Sequence, residues 1–292
     1  MSKTLPQIAF KTRYPEVSGI EVIRLEEIRD RVEDLTHSPQ HPHQIAFYKL
    51  VYYTKGKTQH LVDFKWYDVE EDTVLYLSKG QVNAFKFNPE IEGYVILFTE
   101  DYFKKQLNTI PKYTVVRLFT SHLFEPKIQV PQHSAVLKYI ELLYHEFYKP
   151  SEYFNKKNII DSLFNIIFSK VEALKKHQTH AVEDSDKLQL FLNIQTLLKS
   201  QFKSHKNADY YAQQLHITYK HLNVTCKAII QSTAKQYIDA FVILEAKRKL
   251  INSSIKSTEL AYDLGFNEAT NFVKYFKKHT GFTPNAFKKM YS

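Results

Sequence analysis

An α+β chain of two domains is predicted. An antiparallel β-barrel with an appended helical pair comes first, and an all-α part follows. Three observations carry this. Aromatic and β-branched runs broken by turn residues fill positions 46–99. From position 134 onward the apolar residues recur at spacings of three and four. Charge divides along the same line: residues 186–292 hold 16 Lys and Arg against 7 Asp and Glu, while residues 1–185 balance 24 against 24. All of the net +9 therefore belongs to the last third, as when a neutral sensing or assembly domain is joined to a polyanion binder.

A chain of 292 residues has room for two cores, and 43% hydrophobic with 24% charged residues is a globular composition. No apolar run approaches the ~18 residues of a membrane span, so no membrane partner is expected. The start, MSKTLPQIAF, has one Lys and no apolar segment, which predicts no signal peptide. A single cysteine, Cys226, allows no internal disulfide and fits a reducing cytoplasm.

Through the first domain, GIEVIRLEEIRDRVEDL alternates apolar with charged residues and fits a strand followed by a short helix, without deciding for it. His37–Gln44 carries two prolines and reads as loop. AFYKLVYY is a strand and Thr54–Lys57 a turn. In HLVDFKWYDV, Val62, Phe64 and Trp66 alternate with Asp63 and Lys65, the period of one half-buried strand. TVLYLS, QVNAFKF and GYVILFT complete five or six strands, enough for a barrel or sandwich. Phe47, Tyr52, Phe64, Trp66, Tyr76 and Phe85 are the expected inward rings, filling the core or flanking a small molecule.

Two amphipathic helices follow. Val136, Ile140, Leu143 and Phe147 stripe one; Ile160, Phe164, Ile167, Val171 and Leu174 stripe the other. On the second, Ile159, Leu163 and Ile166 make a separate apolar face, suited to a partner subunit or to packing within an ordinary helical hairpin. Lys175–Asp186 is polar throughout. The expected division is a barrel at 1–130, a helical segment at 131–176, a linker at 177–185 and a basic domain at 186–292.

The basic domain opens with a helix striped by Leu190, Ile194, Leu197, Leu198 and Phe202. Asn207 then caps a helix packed through Tyr211, Ala212 and Leu215, with Ile217–Thr218 as a turn. Leu222, Cys226 and Ile229 face inward on the next helix, leaving Lys220, Asn223, Val224 and Lys227 outside. Cys226 reads as a small buried side chain. A helix-compatible run from Ala234 to about Asn252, roughly 28 Å long, joins this unit to a second. Lys247, Arg248 and Lys249 at its end suit phosphate contacts or a merely solvated turn. In the second unit, Ser257 and Thr258 cap a helix with Leu260, Ala261 and Leu264 inside, and Gly265 supplies its exit. Asn267 caps the last helix of the pair, with Phe272 and Phe276 inside and Asn271, Lys274, Lys277 and Lys278 outside; Gly281 ends it and Pro284 starts another. A helix, a Gly turn and a helix with exposed Asn and Lys is the helix-turn-helix pattern, whose second helix enters a DNA major groove.

The run ELAYDLGFNEATNFVKYFKKHTGFTPNAFKK resembles the second helix-turn-helix of the AraC/XylS family of transcription regulators. The resemblance rests on Ala261, Gly265, Phe266, Phe272, Phe276, Lys277, Gly281 and Pro284. Lys288 stands where the family usually has Arg; in the first unit His216 replaces the usual Gly and Cys226 the usual aromatic. The resemblance implies operator or promoter double-stranded DNA as partner, a homodimer through the helical pair, contacts with RNA polymerase, a small-molecule effector, and activation as the commoner mode. With the outward faces, it assigns Thr218, Lys220, Asn223, Val224, Lys227, Ala269, Thr270, Asn271, Lys274, Lys277 and Lys278 to DNA. Asn223 and Asn271 suit bidentate adenine contacts; Lys220 and Lys274 suit guanine or phosphate.

The strand region resembles the cupin-type effector barrel of the same family more diffusely. In LSKGQVNAF, Lys79 replaces a proline and Asn83 a metal-ligating histidine. His41, His43 and His60 are the remaining candidate ligands, too few at family spacing, so no metal and no cofactor is expected. A barrel enzyme or small-molecule-binding protein with an accessory DNA-binding domain is the alternative. Its only chemical material is that His set and Glu70–Thr73; no Walker loop, G-x-S-x-G or C-x-x-C occurs, so no catalytic residue is assigned.

Overall fold

The computed structural model describes residues 5–11, 17–30, 38–106, 125–150, 155–174, 185–252 and 255–291. The expected linker at 177–185 lies outside these up to residue 184. Residues 6–176 and 177–292 fall in two compact units.

The first unit is β-rich. Its elements are β1 (Gln7–Ile8), β2 (Ile20–Arg24), α1 (Leu25–Asp30), β3 (His43–Ile45), β4 (Tyr48–Lys55), β5 (Thr58–Val62), β6 (Lys65–Val69), β7 (Thr73–Leu77), β8 (Val82–Phe85), β9 (Glu92–Phe98), α2 (Glu100–Gln106), β10 (Lys127–Gln129), α3 (Val136–Tyr148) and α4 (Lys156–Leu174). The strands form two five-stranded sheets, β1-β3-β8-β5-β6 and β10-β7-β4-β9-β2, rather than one closed ring. Pairing is antiparallel except between β1 and β3.

β4 lies inside its sheet, and its alternation sorts side chains into two cores. Leu50 and Tyr52 join the apolar faces of α3 and α4. Val51 and Tyr53 join the residues of the other sheet. The helical stripes are buried as expected: Val136, Ile140, Leu143 and Phe147 on α3, and Ile160, Phe164, Ile167 and Val171 on α4. Phe98, Phe164 and Phe168 bind sheet to helix, with ring centroids 5.1, 5.4 and 4.3 Å apart pairwise. Each such buried ring contributes roughly 1.5–3 kcal/mol.

HLVDFKWYDV corrects the one-strand expectation. Asp63 and Phe64 take φ of 45° and 72°, a two-residue turn between β5 and β6. Such hairpins usually need Asn-Gly. Here the Asp63 carboxylate accepts from the Val82 N–H (3.2 Å) and the Gln81 side chain (2.6 Å), fixing the turn to the neighbouring strand. The turn shifts the alternation, so Trp66 is 41% exposed and Phe64 half-buried instead of inward. Phe47 and Phe85 are buried between the sheets as expected, whereas Tyr52 and Tyr76 are buried on the opposite face, among the residues of α3 and α4 rather than inward.

The second unit is all α: α5 (Ser185–Gln201), α6 (Ala208–Gln214), α7 (Tyr219–Ile230), α8 (Ala234–Asn252), α9 (Ser257–Asp263), α10 (Ala269–Thr280) and α11 (Pro284–Tyr291). The α5 stripe is Leu188, Phe191, Ile194 and Leu198, with Leu190 and Leu197 only half-buried at its edges. α8 spans the expected Ala234–Asn252. No described helix is long and apolar enough to cross a membrane.

Candidate nucleic-acid interface

Two helix pairs, α6–α7 and α9–α10, share one turn geometry. In the first, N–H groups of Leu215, His216 and Ile217 donate to carbonyls of Tyr211, Gln213 and Ala212. In the second, Leu264, Gly265 and Phe266 donate to Leu260, Tyr262 and Ala261 in the same pattern. The pivotal residue is left-handed in both, with φ +53° at His216 and +74° at Gly265. At Gly265 a Cβ would lie 1.7 Å from the Lys203 carbonyl oxygen, so the backbone approach itself demands glycine.

The recognition helices begin differently. Thr218 caps α7, its hydroxyl accepting the His221 N–H at 3.1 Å. Glu268, not Asn267, occupies the cap of α10, because the second turn is one residue longer. Thr270 donates its hydroxyl to Glu268 Oε2 at 3.1 Å. The α9 cap is likewise Lys256, so Ser257 and Thr258 are already helical; Glu259 accepts the Lys256 N–H at 3.3 Å. Asn207 caps α6 as expected, accepting from Asp209 N–H at 3.1 Å.

Counted from their caps, Leu222 and Cys226 in α7 match Phe272 and Phe276 in α10, all buried. Both helices stop at a left-handed residue, Gln231 (φ 53°) and Gly281 (φ 78°). The same count aligns the outward positions: Lys220 with Thr270, His221 with Asn271, Val224 with Lys274, and Lys227 with Lys277. All eight are exposed, as are Thr218 and Lys278; Ala269 is half-buried. Sequence reading missed His221 and the 44%-exposed Tyr219. The signal was present in the one-residue offset between the two units, which shows once the caps are located.

Asn223 corrects its expectation. Its Oδ1 accepts the Ala234 N–H at 2.9 Å, and its Nδ2 donates to the Tyr219 carbonyl at 3.3 Å. The carboxamide is spent on the first turn of α8, so a bidentate adenine contact is not open to it here. Asn271 has no side-chain hydrogen bond among the described residues, and its amide faces outward.

Lysines divide the same way. Lys220, Lys227, Lys274, Lys277 and Lys278 make no ion pair or side-chain hydrogen bond among the described residues. Other cations brace the scaffold. Lys203 (2.8 Å) and Lys249 both reach Asp263, holding its carboxyl below the usual carboxylate range. Arg248 pairs with Glu245 at 2.9 Å, and the Lys247 ammonium lies 5.3 Å from the Phe287 ring centroid. Lys247, Arg248 and Lys249, expected to suit phosphate contacts, all make internal contacts here. α10 is tied to α8 where Tyr275 donates to Asp239 Oδ1 at 2.7 Å, beside Lys235 and His279. Cys226 is buried, which pushes its thiol up to about 12.

In the first unit, polar groups converge between the sheets. His43 Nδ1 lies 2.9 Å from the His41 carbonyl, an acceptor, so it carries the proton. His43 Nε2 then accepts from Asn83 Nδ2 at 2.6 Å, and Asn83 Oδ1 accepts from His60 Nε2 at 2.8 Å. His60 Nδ1 is left to accept the Tyr53 hydroxyl at 2.6 Å. Both imidazoles are neutral in this chain of bonds; burial holds His60 well below its usual value. An amide separates the two rings, and among the described residues no three His, Cys, Asp or Glu are placed to hold a metal.

Family models match both units: an AraC-like ligand binding domain over residues 24–159 and a helix-turn-helix domain over 211–290. In both units the chain is therefore similar to the domains of AraC-type regulators. A curated relative, an uncharacterized HTH-type transcriptional regulator in the cgkA 5′ region of Pseudoalteromonas carrageenovora, is 30% identical over 100 residues. That match covers 34% of this chain and 59% of the relative, so this chain spans under two thirds of its length. Among solved structures, ToxT from Vibrio cholerae bound to an unsaturated fatty acid is similar at 14% identity and TM-score 0.45, covering 94% of this chain and 96% of ToxT. The DNA-binding domain of AdpA with target DNA is similar at 19% identity and TM-score 0.32, covering 35% and 91%.

Proposed function

We propose that this protein regulates transcription by laying α7 and α10 into successive major grooves of promoter DNA. One observation carries the reading. Two turns of identical bonding present helices whose outward lysines are uncommitted, while neighbouring cations are consumed by internal carboxylates. The spacing also suits it: α8, at 19 residues and ~28 Å, joins the pairs, and adjacent grooves on one side of B-DNA lie ~34 Å apart. Lys220, Lys227, Lys277 and Lys278 set register on phosphates. Asn271 reads adenine, Lys274 a guanine, and Val224 offers an apolar contact to a thymine methyl. Thr218, Ala269 and Thr270 line the helix starts nearest the backbone.

In the same reading, residues 1–130 are the effector domain, 131–176 the dimer segment, 177–185 a linker and 186–292 the DNA-binding domain. The α4 face supports a homodimer: Ile166 is 37% exposed, and Ile159 and Leu163 are half-buried. The protein works in the cytoplasm, answers to a small molecule without a metal or catalytic group, and activates through RNA polymerase.

Selection of bound sequences from a random duplex pool by the full chain tests the proposal. The expected product is a site with two elements about one helical turn apart, bound with steep salt dependence. Lys278→Ala lowers the slope of log affinity against log salt by about one and weakens all sequences alike. A pool with no enriched element would refute the proposal.

A further inference from the structure

β4 places one charge where the core should have none. Lys49 sits between Tyr48 and Leu50, opposite Leu77 of β7 and Leu97 of β9. By strand alternation it shares the face of Val51 and Tyr53, which looks toward the other sheet. Its residue is 6% exposed, and its ammonium lies 5.1 Å from the centroid of Phe85, a ring of that facing sheet. Among the described residues no hydrogen bond or carboxylate reaches it.

The neighbouring polar groups do not serve it. Tyr53, His60, Asn83 and His43 bond to one another in the closed sequence described above. His60 also stacks on Phe85 at 5.5 Å, so the cation and the imidazole share one ring as neighbour. Burial alone lowers the Lys49 amine, to about 8, and no anion offsets it. A buried ammonium without an acceptor is costly, and it persists where something else supplies the counter-charge. The walls around it are apolar: Val51, Leu75, Leu77, Val62 and Phe85.

We propose that Lys49 anchors a ligand between the two sheets, and that the ligand is a monocarboxylate with an apolar body. The carboxylate takes the ammonium's hydrogen bonds, while the body packs against the aliphatic and aromatic wall. This names the chemistry of the effector, and so rests on the reading of residues 1–130 as the effector domain.

Calorimetric titration of the full chain tests it with four probes: 3-phenylpropionate, octanoate and the primary amide of each. At least one acid is expected to bind tenfold or more tightly than its amide. Lys49→Met is expected to erase that preference while the chain still binds DNA without ligand. Equal binding of acid and amide, no binding of any probe, or a preference that survives Lys49→Met would overturn the proposal. Should Lys49→Met fail to fold, the acid–amide comparison on the unaltered chain decides alone. Loss of DNA binding by the unaltered chain would instead remove the regulator reading and leave the carboxylate result standing.

Discussion

The two helix-turn-helix units reach one geometry by different chemistry. The second relies on close packing: Gly265 lies against the Lys203 backbone, and Phe266, Phe272, Phe276 and Phe287 form a run of rings 5.3–5.8 Å apart. The first has a histidine at the left-handed position and a small thiol in the core. It is secured by hydrogen bonds instead, from Thr218 at the start of α7 and from Asn223 across to α8. A turn that touches another backbone must be glycine, whereas a turn that faces solvent tolerates a side chain at the cost of strain.

Substitutions at the pivots separate these cases most sharply. Gly265→Ala puts a Cβ into the Lys203 carbonyl at a positive φ, and is expected to cost at least ~3 kcal/mol in denaturant unfolding. His216→Gly goes the other way, because it relieves αL strain of ~1–2 kcal/mol against a ~0.5–1 kcal/mol entropic penalty. A net stabilisation of roughly 0.5–1 kcal/mol is expected, and a destabilisation would show that His216 makes a contact of its own.

Smaller still is the response to acid, which belongs to the second unit. Asp263 is depressed by Lys203 and Lys249, so its contribution is present above the unfolded carboxylate value and fades as pH falls through and below it. The Asp263 side chain is 34% exposed and that of Lys203 47%, so solvent screening keeps the effect slight. Comparing acid unfolding of the unaltered chain with Asp263→Asn checks it. The variant should lose stability near neutrality and show a flatter profile below about pH 4.

Much of the helical architecture was legible because its periodicities are long and its breakers strong. The ends of α8, the inward Phe272 and Phe276, and the turn at Gly265 follow from spacing and glycine placement alone. Three features were not legible, for physical reasons. The Asp63–Phe64 turn lacks a turn sequence, since its conformation is held by Gln81 and Val82 on another strand. The use of Asn223 depends on the arrival of Ala234 eleven residues later, which no helical wheel contains. Lys49 is the second residue of β4, where alternation gives a side but not the absence of a partner. Cap positions were missed by one or two residues because Ser257, Thr258 and Asn267 are good caps locally, whereas the helices start from Lys256 and Glu268.

Asn223 and Asn271, one on each recognition helix, test most directly whether exposed side chains read bases while committed ones hold the scaffold. The measurement is the ratio of selected-site to random-DNA affinity, taken at two salt concentrations alongside unfolding, for Asn271→Ala and Asn223→Ala. Asn271→Ala should weaken the selected site by ~1–3 kcal/mol, leave random DNA nearly unchanged, and leave stability unchanged. Asn223→Ala should instead cost ~1 kcal/mol of stability, as loss of a helix cap does, and leave the ratio unchanged. An unaltered ratio for Asn271→Ala, or a collapsed ratio for Asn223→Ala at unchanged stability, would contradict the division of labour drawn from the structure.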